Sequence, residues 1–224
     1  MNKRNLLVNA LIKYTAGLVA VAIILFVPAG TVNYPNGWLF MSLLFIPMFF
    51  LGLVLFLKSP ELLEKRLKSK EKRGTQSIVV KLAALAFILS FVMAGVDYRY
   101  NLTQVPQILV ISASVLLLIS YGIYAEVMRE NAYLSRTIEV QDNQKVIDSG
   151  LYGIVRHPMY MATVLLFLSI PLVLGSWISF IIMLSYPAVI IARIYDEELL
   201  LEKELQGYKE YKNKVKYRLI PFVW

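Results

Sequence analysis

Residues Met161–Ala192 read MATVLLFLSIPLVLGSWISFIIMLSYPAVIIA, an apolar run without a single charge. A bilayer core about 30 Å thick is crossed by roughly 20 apolar residues in a helix, so this run is too long for one crossing. Gly175-Ser176 lies near its middle, with Pro171 and Pro187 on either side. The reading that fits is a tight helical hairpin whose two arms continue into the polar segments at each end.

Four further segments, about 10–29, 38–57, 78–96 and 105–125, reach spanning length. The predicted fold class is therefore all-α: a polytopic integral membrane protein of four spans plus a C-terminal helical hairpin, six crossings in total. With 58% hydrophobic and 17% charged residues, the 224-residue chain is too apolar for an ordinary soluble domain. Lys3 and Arg4 precede the first apolar run, and no small-x-small site follows it, so it is read as an uncleaved anchor.

Charge sets the orientation. Nearly every Lys and Arg falls before span 1, between spans 2 and 3, between span 4 and the hairpin, or after the hairpin; on the other side only Arg99 is basic. The positive-inside rule then puts both termini and both polar loops in the cytoplasm, as in a bacterial cell membrane. The net charge of +8 is accounted for by topology, which makes nucleic acid a poor partner. The stretch Lys58–Lys72 (KSPELLEKRLKSKEK) is a solvated loop that could also touch anionic headgroups. Asp97 and Arg99, at the outer edge of span 3, read as a surface pair. Without cysteine and with one histidine, thiolate chemistry, disulfides and a His-cluster metal site are excluded.

The unusual chemistry lies in the second half. Residues 1–125 are transmembrane helices and connectors, whereas residues 126–224 form a candidate core of cytoplasmic loop, hairpin, C-terminal helix and tail. Gln144–Ile147 reads as an extended piece ending in a turn at Asp148-Ser149-Gly150. Arg156-His157 stands directly before the hairpin, and Arg193 to Glu198 directly after it. Because a hairpin returns to its own side, the two clusters meet at one end. Arg193 and Glu197, four apart, share a helical face. Beyond them, Leu201, Leu205, Tyr208, Tyr211 and Val215 recur at helical spacing, interrupted by Gly207, which marks a kink or break. The closing Arg218–Trp224 is an apolar, aromatic plug that lies at the interface or closes over a cytoplasmic pocket.

The elements Gly150-x-Tyr152-x-x-x-Arg156-His157-Pro158-x-Tyr160, Arg193-x-x-x-Glu197-Glu198, Gly207-Tyr208-x-x-Tyr211 and Val215-Lys216-Tyr217-Arg218-Leu219-Ile220-Pro221 appear in order over the C-terminal 80 or so residues. In this the chain resembles the isoprenylcysteine carboxyl methyltransferase family and its bacterial relatives, which adjoin the phospholipid methyltransferases. The resemblance implies an S-adenosylmethionine-dependent methyltransferase that binds its cofactor on the cytoplasmic side, without a glycine-rich dinucleotide fold. Carried over by position, Gln144, Lys145, Val146, Ile147, Tyr152, His157, Pro158, Met159 and Tyr160 would line the cofactor pocket. Gln144 stands where a histidine is often found. One of Glu197 and Glu198 would join them. Counting from Arg193 selects Glu197, counting back from Gly207 selects Glu198, and the shared face with Arg193 favours Glu197. Arg193 would face the reacting group of a lipophilic or lipid-anchored substrate, with Arg156 as a second substrate contact.

Methyl transfer from a sulfonium asks mainly for positioning and electrostatics. A carboxylate acceptor is ionised at neutral pH and needs no general base, which favours carboxyl over amine methylation. A phospholipid or amine N-methyltransferase stands as an alternative, and two further alternatives carry the same residues. Membrane sterol reductases share the Arg-His-Pro-x-Tyr element and the Val-x-Tyr-Arg-x-x-Pro ending but use NADPH; a non-catalytic membrane protein could retain the fold.

Overall fold

The computed structural model describes residues 3–67, 74–134, 140–141 and 143–224, the side chains of 74–79 excepted. The regular structure of the described residues is helical, with no strand: α1 Lys3–Ala29, α2 Pro35–Lys58, α3 Pro60–Leu67, α4 Gly74–Tyr100, α5 Gln107–Glu130, α6 Pro158–Val173, α7 Trp177–Met183, α8 Tyr186–Glu204 and α9 Tyr208–Lys214. Among the described residues, five stretches are long and apolar enough to cross a membrane: Lys3–Ala29, Pro35–Lys58, Val80–Tyr100, Gln107–Glu130, and Trp177–Glu204 taken as one.

The hairpin forms where the sequence places it. Helix α6 is the first arm, and α7 with α8 the second. Gly175 takes φ +81°, a left-handed conformation that suits glycine, and a side chain there would also strike Asn36 at 2.7 Å. Ser176 then caps α7, its hydroxyl accepting from Ser179 N at 3.1 Å. The arms are unequal. With 16 residues α6 is about 24 Å long, short of a full crossing. The second arm breaks at Leu184-Ser185, because Pro187 has no N–H to continue the ladder.

The turns at one end of the bundle are bound together. The Tyr34 hydroxyl donates to Leu174 O at 2.5 Å, and its ring stacks on Tyr98 at 4.1 Å between centroids. Asp97 is only 1% exposed, which corrects its reading as part of a surface pair. Its carboxylate accepts from Thr103 N at 2.6 Å and from the hydroxyls of Thr103 and Ser176. One carboxylate thus closes the α4–α5 connection and ties it to the hairpin tip. Between α4 and α7 the hydroxyls of Ser90 and Ser179 lie 2.6 Å apart.

Below that end the helices close on an aromatic-rich core of Leu25, Phe26, Phe40, Phe45, Phe91, Leu117, Leu166 and Ile170. Gly95 permits the approach of α4 to α1: a side chain there would stand 2.5 Å from Leu25 O. The outer faces stay apolar and exposed, as at Ile12, Ile23, Val27, Ile111 and Ile119, which is what lipid contact requires. Of the basic stretch after α2, Leu62 and Leu63 of α3 are buried; residues 68–72 lie outside the described residues.

Asp97→Ala leaves the buried hydroxyl of Ser176 and the Thr103 donors without their acceptor. The expected cost is roughly 1–3 kcal/mol, read as a lowered thermal midpoint of the purified protein in detergent.

Candidate functional site

The site lies at the opposite end, where α5 finishes, α6 begins and α8 emerges. The Glu130 carboxylate at the end of α5 accepts from Leu151 N at 3.0 and 3.1 Å. This holds a one-turn 3-10 helix, Gly150–Gly153. Glycine suits position 150: its φ is +57°, and a Cβ would overlap the Glu130 carboxylate as it stands. The turn delivers Tyr152, whose hydroxyl accepts from Asn131 Nδ2 at 2.9 Å and whose carbonyl accepts from the Tyr211 hydroxyl at 2.7 Å.

Residues 156 and 157 then pair with the C-terminal segment. Arg156 N donates to Tyr217 O and His157 N to Arg218 O, both at 2.9 Å. Pro158 begins α6 at a position where its missing N–H costs nothing. Around this junction Glu198 binds three cations or imidazoles: Arg156 Nε at 2.7 Å, His157 Nε2 at 3.2 Å and Arg218 Nε at 3.0 Å. Arg156 Nη1 also donates to Val215 O and Lys216 O, at 2.7 and 2.8 Å. Arg156, His157 and Glu198 are all buried.

Glu197, one position round the helix, meets a different set. Arg193 Nε donates to the Tyr160 hydroxyl at 2.9 Å, and that hydroxyl donates in turn to Glu197 Oε2. The two residues predicted to share a face are thereby bridged by a phenol from α6. The His157 and Tyr160 rings lie nearly parallel, 5.6 Å apart.

Between these groups and α9 is an open cavity. Gln144, Lys145, Val146 and Ile147 form one wall. Tyr152, Arg156, His157, Met159, Tyr160, Arg193 and Glu197 line the cavity as well. Two of the sequence-predicted residues are not part of the lining: Pro158, which starts the helix, and Glu198, which is spent on the ion cluster. Arg156 lines the cavity but has its Nε and Nη1 committed to Glu198 and the tail carbonyls.

The lining also includes residues that were not assigned to the site from sequence. Leu201 and Leu205 reach it from the end of α8; Tyr208 and Tyr211 reach it because the chain breaks at Gly207, φ +84°, and α9 packs beside Val146. Their helical spacing was visible, but it reads equally well as an ordinary apolar face. Burial raises the phenols of Tyr152, Tyr208 and Tyr211 above the usual tyrosine range, and for Tyr208 the Glu198 and Glu197 carboxylates add to it. All three are therefore neutral hydrogen-bond donors at physiological pH. The tail does not cover the cavity. Leu219 packs on Met183, Tyr186, Ile190 and Ile194, while Arg218 sits over the rings of Tyr195 and Trp224.

The cavity offers cations at Arg193 and Lys145, an anion at Glu197, phenol donors and an apolar wall. Such a set suits a ligand that is charged at one end and flat and apolar at the other.

Residues 108–206, from α5 to just past α8, match the phospholipid methyltransferase family. The matched segment holds the hairpin, the Tyr160–Arg193–Glu197 chain and Glu198. Ninety-one residues are also 32% identical to the Delta(14)-sterol reductase TM7SF2 of Mus musculus. That alignment covers 39% of this chain and 22% of the reductase, so the chain spans less than a quarter of that relative.

The two neighbouring glutamates should differ sharply in stability. Glu198→Ala leaves Arg156 buried and uncompensated, at an expected cost of about 3–5 kcal/mol. Glu197→Gln keeps a partner for Tyr160 and should cost about 1 kcal/mol or less. Thermal unfolding of both variants in detergent measures the difference.

Proposed function

We propose that this protein is an integral membrane methyltransferase that uses S-adenosylmethionine to methylate the carboxylate of a lipophilic, isoprenoid-like substrate. The observation that carries the reading is the cavity in which Tyr160 links Arg193 to Glu197, directly beside an apolar wall. Its donor set fits the cofactor. Lys145 can meet a carboxylate, Glu197 can meet an ammonium or sulfonium, and Val146, Leu201 and Leu205 can cover a flat base. The match to the phospholipid methyltransferase family supports methyl transfer in general. Bound there, S-adenosylmethionine would supply an electrophilic methyl group on a positively charged sulfur.

The remaining work falls to the chain's own residues. Arg193, held by the Tyr160 hydroxyl, presents a planar guanidinium that can grip and orient a carboxylate. Glu197 places a negative charge where a cationic cofactor needs one. The carboxylate needs no proton removed, so orientation and charge are the protein's whole contribution. The surrounding helices are apolar on their outer faces, so a substrate with a long hydrocarbon part can arrive from the bilayer.

A second reading is kept by one observation, the identity to the sterol reductase, and it would place NADPH in the same cavity. Ligand-induced stabilisation separates the two, because a ligand that binds only the folded state raises its apparent stability. S-adenosylhomocysteine is expected to raise the thermal midpoint of the purified protein and NADPH to leave it unchanged; the reverse result overturns the methyltransferase reading. Arg193→Ala should reduce methyl transfer roughly 100-fold while stabilisation by S-adenosylhomocysteine persists. A fully active Arg193→Ala protein would remove Arg193 from the reaction.

A further inference from the structure

The Tyr208 hydroxyl is buried, and among the described residues it has no hydrogen-bond partner. It is the one buried side-chain nitrogen or oxygen there in that position. Other buried phenols of the molecule are satisfied: Tyr34 donates to Leu174 O, and Tyr211, three residues on in the same helix, donates to Tyr152 O. A buried donor left unpaired is costly, and phenylalanine would fill the same space without that cost. The hydroxyl therefore calls for a partner that the described residues do not provide.

Its location says what kind. Tyr208 lines the cavity together with Val146, Leu201 and Leu205 and packs among those apolar side chains. The charged end of a split-polarity ligand belongs near Arg193, Tyr160 and Glu197. The apolar end is where a flat heterocycle would lie, and a phenol in that wall meets the polar edge of the heterocycle or its sugar. We infer that Tyr208 is a ligand-contacting residue whose hydroxyl donates a hydrogen bond to an acceptor on the nucleoside half of the molecule bound in this cavity. The inference rests on the cofactor reading above. Burial and the nearby carboxylates of Glu197 and Glu198 keep the proton on the phenol, which makes it a donor. Gly207 supports the arrangement, since its left-handed turn starts α9 and sets Tyr208 against the wall.

The test is Tyr208→Phe in the full chain, purified in detergent, with two measurements on one sample. A hydroxyl unpaired in the free protein contributes nothing there, so the ligand-free thermal midpoint should be unchanged or higher. The affinity for S-adenosylhomocysteine should fall about 3- to 10-fold, the loss of one neutral hydrogen bond. Equal affinity in the two proteins overturns the inference. A lowered ligand-free midpoint overturns it as well, because the hydroxyl would then serve the fold. If the unsubstituted protein binds NADPH alone, the methyltransferase reading fails and the same comparison with NADPH decides the role of Tyr208. If it binds neither nucleotide, both fall together.

Discussion

A guanidinium can be buried only if its charge and its N–H groups are met, and Arg156 has both met by segments far apart in the chain. Glu198 of α8 supplies the charge at 2.7 Å, and the carbonyls of Val215 and Lys216 accept from Nη1. Arg156 itself stands just before α6. The start of the hairpin, its end and the C-terminal segment are therefore held at one point. His157 and Arg218 join the same carboxylate, so removing Glu198 would leave the buried Arg156 and His157 imperfectly paired. The ligand cavity is built on that point: with Glu198 and Arg156 fixed, Glu197, Tyr160 and Arg193 have fixed directions too.

This separates two tasks that adjoin in sequence. Neighbours on a helix point about 100° apart, and here the two directions are a closed ion cluster and an open cavity. Glu198 belongs to the frame, and Glu197 to the surface that a ligand would touch. Arg156 and Arg193 divide in the same way. Each occurs at one end of the hairpin, yet Arg156 is tied to tail carbonyls while Arg193 reaches into the cavity through a phenol.

Much of the frame was legible beforehand because it follows from length and local chemistry. The run 161–192 is too long to cross once, and Gly175-Ser176 offers a turn and a cap in its middle. Gly207 likewise announced the break that separates α8 from α9. The short first arm was not legible, since nothing in Pro158–Val173 says how deep its polar entry lies. Asp97 was misplaced for a related reason. One of its partners, Ser176, is 79 residues away, and a carboxylate at a helix end looks the same on paper whether it faces water or a distant hydroxyl. Residues 144–160 could be placed in the site through resemblance. Tyr208 could not be placed there from spacing, because a core tyrosine and a ligand-binding one recur at the same helical interval and differ only in where the hydroxyl finds a partner.

The central claim is methyl transfer to a carboxylate at this cavity. Its most direct test is incubation of the purified protein with methyl-labelled S-adenosylmethionine and a membrane lipid extract, followed by mild base treatment of the labelled product. The account predicts label in a lipophilic product and its release by base, as a methyl ester requires. Label that withstands base, on an amine, or no transfer of label at all, would contradict it.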